Sequence, residues 1–284
     1  MMKVLVTGIT GQLGFDVLNE LHNRNIEVVG TARKDFDLTN EDNMIDFIES
    51  HKPDAVIHCA AYTAVDKAED EPDIAMKVNG TATEAIAKLC KDINAKMIYI
   101  STDYVFPGDG ERPYEVDDAK NPPNAYGRSK LAGEEAVLQL LDKYFIVRIS
   151  WVFGINGKNF IKTMLKLSET TSELRVVDDQ IGSPTFTADL SHLLCDMVQT
   201  DKYGIYHATN EGFCSWAEFA TEIFRQAEAN TKVIPVPSSE YPTKAIRPKN
   251  SRLSKKSLDS AGFKRLPSWK DAVGRYLVEL SAIK

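Results

Sequence analysis

The sequence predicts a doubly wound α/β protein, in which helices cover both faces of a parallel sheet. Short apolar runs alternate with segments of helical periodicity through the first half of the 284 residues. A glycine-spaced turn follows the first of these runs, and after Ser150 the alternation loosens. Repeated strand–helix units need right-handed crossovers, which bury a parallel sheet between helices. The looser part predicts a smaller, mostly C-terminal α/β domain.

The elements of the first half follow from the period of the apolar residues. Strands are predicted at 3–7, 26–31, 55–58, 96–100 and 145–149, which are short, apolar and mostly rich in valine or isoleucine. Helices are predicted between them at 12–24, 41–50, 74–91 and 129–141. Asn40 is the predicted N-cap of the second helix, and Pro72 is a first-turn proline of the third.

The second half carries weaker signals. Helices are predicted at 160–167 and 189–198, and strands at 174–177 and 205–207. Ser215 is the predicted N-cap of a helix that runs to Ala227, because Glu218 three residues later completes a capping box. We therefore divide the chain into a first domain, 1–153 together with 183–203, and a second, discontinuous domain within 154–284.

Charge and cysteine usage exclude several classes of protein. A net charge of −7 argues against general nucleic-acid binding, which a basic surface usually serves. The 4 cysteines lie far apart and form no CxxC pair, which is typical of reduced thiols in the cytoplasm. No apolar run approaches the length of a membrane span, and the histidines form no HExxH or similar cluster. We expect a cytoplasmic protein that binds neither nucleic acid nor membrane and holds no metal.

The turn after the first predicted strand has the spacing of a Rossmann-type dinucleotide site. It reads Gly8-Ile-Thr-Gly11-Gln12-Leu13-Gly14, and each glycine has a physical role: a tight turn, close approach of the backbone to pyrophosphate, and close helix–strand packing. The helix from Gln12 would direct backbone N–H groups at the phosphates. A glycine triplet alone also fits a purely structural turn, so the prediction depends on its place between a strand and a helix.

The end of the second predicted strand selects the dinucleotide. NAD-binding chains place an acidic residue there to hold the adenosine ribose, whereas this sequence has Thr31-Ala-Arg33-Lys34. A guanidinium pairs well with the 2′-phosphate of NADP(H), so Arg33 favours NADPH and leaves NADH as the second choice. The alternative is a solvated basic turn. Asp37 and Leu38 follow closely enough to frame the adenine.

A tyrosine–lysine pair is the candidate catalytic group. Tyr126 and Lys130 stand four residues apart, on one face of a helix. A cation beside a tyrosine lowers the pKa of the phenol, which suits proton transfer near neutrality. Such pairs arise by chance, but Tyr126 heads the helix after the fourth strand, where ligands bind in these folds. Thr102 ends that strand and offers a small hydroxyl to a substrate carbonyl, or else caps a turn.

Two further features lie near this edge of the predicted sheet. The third strand ends in Cys59-Ala60-Ala61-Tyr62-Thr63, whose small residues let a flat ring approach the backbone. Asn79 is a polar residue within a predicted helix. It fits either a contact with backbone or cofactor groups or an ordinary surface position.

The order TGxxGxxG, a threonine at the fourth strand and YxxxK resembles the extended short-chain dehydrogenase/reductase superfamily. Longer stretches are similar to its family of dTDP-4-dehydrorhamnose reductases. They span nearly the whole chain and so are more specific than either short motif. The matching stretches are 60–69, 101–106, 126–134, 148–154, 159–165, 179–185 and 247–253.

The resemblance implies a reaction and residue roles. The C4 ketone of dTDP-6-deoxy-L-lyxo-4-hexulose (dTDP-4-dehydro-L-rhamnose) would be reduced to dTDP-L-rhamnose, a step of nucleotide-sugar synthesis for cell-envelope polysaccharide. Tyr126 would donate the proton, Lys130 would hold the nicotinamide ribose and lower the pKa of the tyrosine, and Thr102 would orient the carbonyl. The cofactor is expected in the first domain and the nucleotide sugar mainly in the second.

The contacts expected with each ligand follow from the motifs and the resemblance together. Asp103 and Trp151 match positions near the sugar, and Arg252 has the right charge for the diphosphate. A homodimer is expected from the family and from how often soluble proteins pair symmetrically. The expected cofactor contacts are Gly8, Gly11, Gln12, Leu13, Gly14, Arg33, Asp37, Leu38, Ala60, Ala61, Tyr62, Thr63, Asn79, Tyr126 and Lys130.

Two functions of other kinds compete with the reductase. One is a non-catalytic, NADP-binding regulatory subunit, against which the intact Thr102, Tyr126 and Lys130 argue, since a pure binder has no chemical need of all three. The other is an epimerase or dehydratase on another nucleotide sugar. Such an enzyme uses its cofactor transiently, so it would not consume added NADPH.

Overall fold

The computed structural model describes residues 2–283. Within them the strands are β1 (Lys3–Thr7), β2 (Glu27–Thr31), β3 (Ala55–His58), β4 (Lys96–Thr102), β5 (Tyr144–Ile149), β6 (Val152–Phe153), β7 (Glu173–Val177), β8 (Ile181–Gly182), β9 (Thr185–Phe186), β10 (Gly204–His207), β11 (Cys214–Ser215) and β12 (Lys232–Val236).

The α-helices of the same residues are α1 (Gln12–Asn23), α2 (Glu41–His51), α3 (Val65–Ala68), α4 (Pro72–Met76), α5 (Ala82–Asp92), α6 (Ala125–Leu140), α7 (Phe160–Ser168), α8 (Thr187–Val198), α9 (Trp216–Gln226), α10 (Lys256–Ala261) and α11 (Trp269–Ile283). A π-helical segment, Lys77–Thr81, joins α4 to α5.

A six-stranded sheet in the order β10-β5-β4-β3-β1-β2 forms the centre of the molecule. All of its strands are parallel. The chain moves from β1 to β2 on one side and then returns to β3 on the other, so the order reverses between β1 and β3. In doubly wound folds the ligand lies at such a switch point, beyond the carboxyl ends of the strands. The predicted fold class is confirmed.

Alternation along the strands builds a core on each face of the sheet. Val4 and Val6 pack with α1 and α8, whereas Leu5 between them packs with α2 and α5 on the other face. This alternation is what a strand with both faces buried requires. The sheet is thereby fixed from both sides, and its carboxyl edge is held rigid.

A second core is built mainly from residues that follow β5 in the sequence. Phe153, Phe186, Phe219 and Tyr276 pack there with side chains of α7, α9 and α11. The parallel pair β7–β12 flanks this core. By contrast, α8 packs against the central sheet on the same face as α1, and β10 pairs with β5. The predicted domain bounds, 1–153 with 183–203 against 154–284, stay a prediction.

Helix ends follow the local capping chemistry. The Asn40 side chain accepts from the Asn43 N–H, and Ser215 with Glu218 forms the full capping box, as predicted. The predicted helix 129–141 instead begins at Ala125, because Asn124 caps it by accepting from the Gly127 N–H. Among residues 2–283, no helix has both the length and the apolar character needed to cross a membrane.

The prediction of one regular helix over 74–91 was wrong. It begins at Pro72 and widens into the π-helical segment Lys77–Thr81 before α5. Asn79 and Gly80 lie buried in the wide turn. Such turns recur at functional sites, because they redirect one side chain without ending the helix.

Candidate active site

A cavity of about 940 Å³ opens along the carboxyl edge of the central sheet. The glycine turn, the ends of β2 to β5 and the start of α6 surround it. Most of the residues predicted from the sequence line this one cavity. They are Gly8, Gly11, Gln12, Leu13, Gly14, Arg33, Asp37, Leu38, Ala60, Ala61, Tyr62, Thr63, Thr102, Asp103, Tyr126, Lys130 and Trp151.

Steric contacts make glycine necessary in the turn between β1 and α1. Gly8 has φ +74°, and a Cβ there would lie 2.8 Å from the Cα of Ala60. A Cβ on Gly14 would lie 2.3 Å from the Gly8 carbonyl oxygen. The N-terminus of α1 carries no side-chain cap, so its first N–H groups stay available to a ligand. The turn therefore lets a ligand approach the backbone N–H groups closely.

The segment 154–159, between β6 and α7, is hydrogen-bonded to the glycine turn. The side-chain oxygen of Gln12 accepts from the Gly154 N–H at 2.9 Å and from the Asn159 amide at 3.1 Å. The Asn156 amide donates to the Thr10 carbonyl at 2.9 Å. The second half of the chain therefore helps to shape the proposed phosphate-binding turn.

The end of β2 presents an exposed cation to the cavity. Arg33 lines it and forms no ion pair within residues 2–283. Asp37 accepts from the backbone N–H and the hydroxyl of Thr39, at 2.9 and 2.8 Å. These hydrogen bonds lower the pKa of Asp37, so the carboxylate is charged and its loop is fixed.

Thr102, Tyr126 and Lys130 meet at the inner wall of the cavity. Tyr126 belongs to the first turn of α6, and Lys130 follows one turn later on the same face. The Lys130 ammonium lies 4.1 Å from the centroid of the Tyr99 ring. Burial lowers the pKa of Lys130 to about 7, while the Glu134 carboxylate opposes that shift.

Burial also decides the protonation of the tyrosine. It raises the pKa of Tyr126 above the ordinary value, the Asp103 carboxylate adds to the rise, and the Thr102 hydroxyl lowers it. Burial is the largest effect on this pKa, and the lowering expected from Lys130 stays a prediction. The phenol is protonated at neutral pH and is therefore ready to donate.

Asp103 is a buried carboxyl group with spare hydrogen-bonding capacity. It lines the cavity at 3% exposure, and burial raises its pKa to about 6. Its Oδ1 accepts from the Thr102 hydroxyl at 2.9 Å, whereas Oδ2 has no hydrogen-bond partner within the described residues. A ligand hydroxyl would satisfy the second oxygen.

Trp151 is held in a backbone conformation that tryptophan rarely adopts. Its φ is +49°, in the left-handed region, and its ring stacks on Trp216 at 3.7 Å and 14°. On another side Gly182 lies so close that a Cβ there would be 2.8 Å from the indole. Strain of this kind persists only where the surroundings enforce it, and it clusters at ligand sites.

Two predicted residues lie outside the cavity lining. Asn79 is buried, and its amide accepts from the Tyr62 N–H at 2.8 Å and donates to the Tyr62 carbonyl and the Ser129 hydroxyl. It ties the loop after β3 to α6. The Arg252 guanidinium donates to the Asn250 side chain at 3.0 Å and is not among the lining residues.

The structure also brings in residues that the sequence analysis left unassigned. The Tyr104 ring packs edge-on against Tyr126 at 5.5 Å, and its hydroxyl accepts from Arg247 at 3.1 Å. Lys67 and Lys158 line the cavity. Tyr104 stands within the matching stretch 101–106, which was the available signal. Lys67 likewise stands within the matching stretch 60–69, on α3, whereas Lys158 lies in an exposed loop between two such stretches and had no signal.

Comparison with known proteins assigns the family. The model of the RmlD substrate binding domain family matches residues 2–282. The chain belongs to this family. The spore coat polysaccharide biosynthesis protein SpsK of Bacillus subtilis is 42% identical over 282 residues, 99% of each chain. The dTDP-4-dehydrorhamnose reductase of Escherichia coli is 38% identical over 293 residues, 98% of each chain.

A solved structure shows the same fold with a ligand. The dTDP-4-dehydrorhamnose reductase from Bacillus anthracis, in complex with NADP, is 42% identical to this member of the RmlD family. Its TM-score is 0.96, and the match covers 98% of this chain and 100% of that one. The resemblance inferred from the motifs is confirmed.

Proposed function

We propose that this protein is an NADPH-dependent dTDP-4-dehydrorhamnose reductase. It reduces the C4 ketone of dTDP-4-dehydro-L-rhamnose to dTDP-L-rhamnose. One observation carries the proposal: Thr102, Tyr126 and Lys130 line the same cavity as the glycine turn. The reductase named among its relatives, 38% identical over nearly the whole chain, supports the substrate.

The residues present fit a nicotinamide dinucleotide. A Cβ on Gly8 or Gly14 would collide with the backbone of Ala60 or Gly8, so glycine is what permits the tight turn that suits close approach of a pyrophosphate. Arg33 adds an unpaired guanidinium for a 2′-phosphate, which supports NADPH with NADH second. Asp37, Leu38 and the loop 60–63 would flank the remaining parts of the cofactor.

The proposed chemistry assigns one task to each buried side chain. NADPH supplies the hydride when bound. Tyr126, protonated at neutral pH, gives its proton to the oxygen of the reduced ketone. The Thr102 hydroxyl, which donates to Asp103 Oδ1 in this structure, would turn its one proton to the ketone and orient it. The Lys130 ammonium holds the nicotinamide ribose hydroxyls and stabilises the phenolate that the transfer leaves.

The sugar contacts are proposed from geometry and charge. The free Oδ2 of Asp103 accepts from a sugar hydroxyl, and the Trp151 indole offers a ring face to the sugar. Arg252 stays the candidate for the diphosphate. The small-molecule partner is thus a dTDP sugar, the compartment is the cytoplasm, and the assembly is a homodimer whose mass in solution tests it.

The direct test is oxidation of NADPH, followed by absorbance, with the dTDP keto-sugar as substrate. Tyr126→Phe removes the proton donor and keeps the ring, so kcat should fall by about a hundredfold or more while NADPH binding is largely kept. Tyr203→Phe, which loses only a bond to the exposed Asp201, is the matched control and should keep full turnover. Near-normal turnover of Tyr126→Phe would refute the assigned role.

The same assay separates the competing functions. A regulatory subunit would bind NADP tightly and show no turnover with the keto-sugar. An epimerase or dehydratase would convert its nucleotide sugar without net consumption of added NADPH. Stoichiometric loss of NADPH with formation of dTDP-L-rhamnose supports the reductase alone.

A further inference from the structure

A fully buried ion pair lies directly behind the catalytic side chains. Glu134 of α6 and Arg148 of β5 are both 0% exposed. The Arg148 Nε donates to Glu134 Oε1 at 2.8 Å, and Nη2 donates to Oε2 at 2.7 Å. The Ser101 hydroxyl donates to the same carboxylate at 2.5 Å. The carboxylate therefore has three short hydrogen bonds, which is the condition for burying such a pair.

The position of this pair connects it to the site. Tyr126, Lys130 and Glu134 recur at intervals of four along α6, so they share one face of the helix. Ser101 immediately precedes Thr102 on β4 and pairs in register with Arg148 on β5. Glu134 thus ties the helix that carries two of the catalytic groups to the strand that carries the third.

We propose that Glu134 is a positioning residue for the reduction: clamped by Arg148 and Ser101, it fixes the face of α6 that presents Tyr126 and Lys130. The inference rests on the proposed function and adds a residue to its machinery. Glu134, Arg148 and Ser101 all lie in stretches that match the family, but Glu134 is 14 and 33 positions from its two partners, so the sequence did not show that they touch.

The groups around Lys130 support a second effect of the same carboxylate. The Tyr99 ring faces Lys130 from β4, and His58 and Cys59 face it from the end of β3. Burial lowers the pKa of both Lys130 and His58, while the charge of Glu134 raises the pKa of Lys130. Glu134 therefore favours the charged ammonium.

The Arg148 end of the ion pair is also enclosed by other residues. Arg148 Nη1 donates to the Val116 carbonyl at 2.9 Å and lies 3.3 Å from Nε2 of His207 on β10. Burial lowers the pKa of His207 to about 3, so this ring is neutral near pH 7 and adds no positive charge. Arg148 is accordingly the cation that pairs with Glu134.

The test is Glu134→Gln in the full-length enzyme. This change keeps the shape and removes the charge, so α6 loses its fixed position and Lys130 loses its proton at lower pH. We expect kcat to fall by about tenfold to a hundredfold, the size of effect that a misplaced catalytic group produces. The alkaline limb of the kcat profile should move to lower pH, with KM for the sugar little changed.

Asp189→Asn is the matched control. Asp189 forms the same bidentate contact with Arg275, at 2.7 and 2.8 Å, away from the cavity. Its variant should lose stability but keep kcat per folded enzyme and the pH profile. Equal losses of kcat in both variants would show a general effect of breaking a bidentate ion pair and would overturn the proposal. A folded Glu134→Gln enzyme with unchanged kcat and an unchanged alkaline limb would also overturn it.

A second variant and a second readout complete the test. Ser101→Ala removes one hydrogen bond to Glu134 and leaves the ion pair, so it decides the matter if Glu134→Gln does not fold. It should lower kcat severalfold, and unchanged kcat would then overturn the proposal. NADP⁺ binding without sugar gives an independent readout: in Glu134→Gln its affinity should be lost at lower pH than in the wild type, whereas Ser101→Ala, which keeps the carboxylate charge, should keep the wild-type pH limit. Absence of turnover in the wild type would count against the proposed function instead, and the binding profile would still decide the role of Glu134.

Discussion

At the residue scale, the burial of ionisable groups governs the site. The pKa of Lys130 is lowered to about 7 and that of Asp103 is raised to about 6, in both cases by desolvation first. Each charge therefore costs stability near neutral pH. The identities and spacing of these residues were readable from the sequence, but their pKa values were not, because burial depends on neighbours far away in the chain.

Asp103→Asn should raise the stability of the protein without ligands and lower its turnover. The folded pKa of Asp103 lies above the ordinary value of an aspartate, so the folded state holds this proton more tightly than the unfolded state. The cost of ionisation is fully present above about pH 6 and disappears as the pH falls towards 4. The variant should gain about 1–3 kcal/mol in free energy of unfolding at neutral pH and little in acid. Urea unfolding at the two pH values measures it; a gain that is equal at both would contradict the assigned cause.

Trp216→Leu should weaken the site for the sugar and leave the cofactor half intact. The Trp216 ring stacks on Trp151, whose φ of +49° needs such support. With that support lost, Trp151 relaxes away from the cavity, and KM for the dTDP sugar should rise by about tenfold, as expected for loss of a stacked aromatic contact. Kd for NADPH should stay constant. An equal rise of both constants would show that the change disturbs the whole fold.

At the element scale, regular strands and helices were predictable and their irregular joins were not. The strands of the central sheet lie where alternation and apolar runs placed them. The π-helical segment Lys77–Thr81 was missed, because its wide turn follows from the Asn79 contacts with Tyr62 and Ser129 rather than from any local signal. The early start of α6 was missed although Asn124, its N-cap, was visible in the sequence.

Gly127→Ala should damage α6 and the reaction together. A Cβ at Gly127 would lie 2.3 Å from the Tyr104 carbonyl oxygen, so the first turn of α6 would have to move away from the segment that follows β4 and carry Tyr126 with it. We expect a loss of about 1–3 kcal/mol in free energy of unfolding, typical of overpacking, and a marked fall in kcat.

Gly274→Ala on α11 is the control for this helix glycine. Its Cβ would meet only the far end of the Gln226 side chain, which can turn aside. Its stability should stay the same or rise by up to about 1 kcal/mol, because alanine is the better helix former. Equal thermal stability of the two alanine variants would rule out the packing argument.

At the scale of the whole molecule, two cores meet over the cavity. The first surrounds the central sheet and the second lies among α7, α9 and α11. The sequence predicted a second domain from its loosened rhythm, and most of the site residues that it named line the cavity. It did not reveal how the halves touch, since contacts such as Gln12 with Gly154 join positions 142 residues apart.

Asn156→Ala should weaken NADPH binding although Asn156 belongs to the second half of the chain. Its amide donates to the carbonyls of Thr10 and Gly11 and so helps to hold the glycine turn in shape. We expect Kd for NADPH to rise about fivefold to tenfold, the equivalent of one hydrogen bond of about 1 kcal/mol. Calorimetric titration with NADPH measures it.

Thr231→Ala is the comparison for that loss. It removes a hydrogen bond to the Thr171 carbonyl away from the cavity, so it should leave Kd for NADPH unchanged. If both variants weaken NADPH equally, the effect belongs to general destabilisation and not to the turn.

The hydrogen bonds between 154–159 and the glycine turn also set a thermodynamic constraint. One network shapes the turn that receives the cofactor and fixes the segment that leads into the second core. Any change in this network that one ligand induces therefore alters the affinity for the other ligand. Linkage requires the coupling to be reciprocal: by whatever factor bound cofactor tightens the sugar, bound sugar tightens the cofactor.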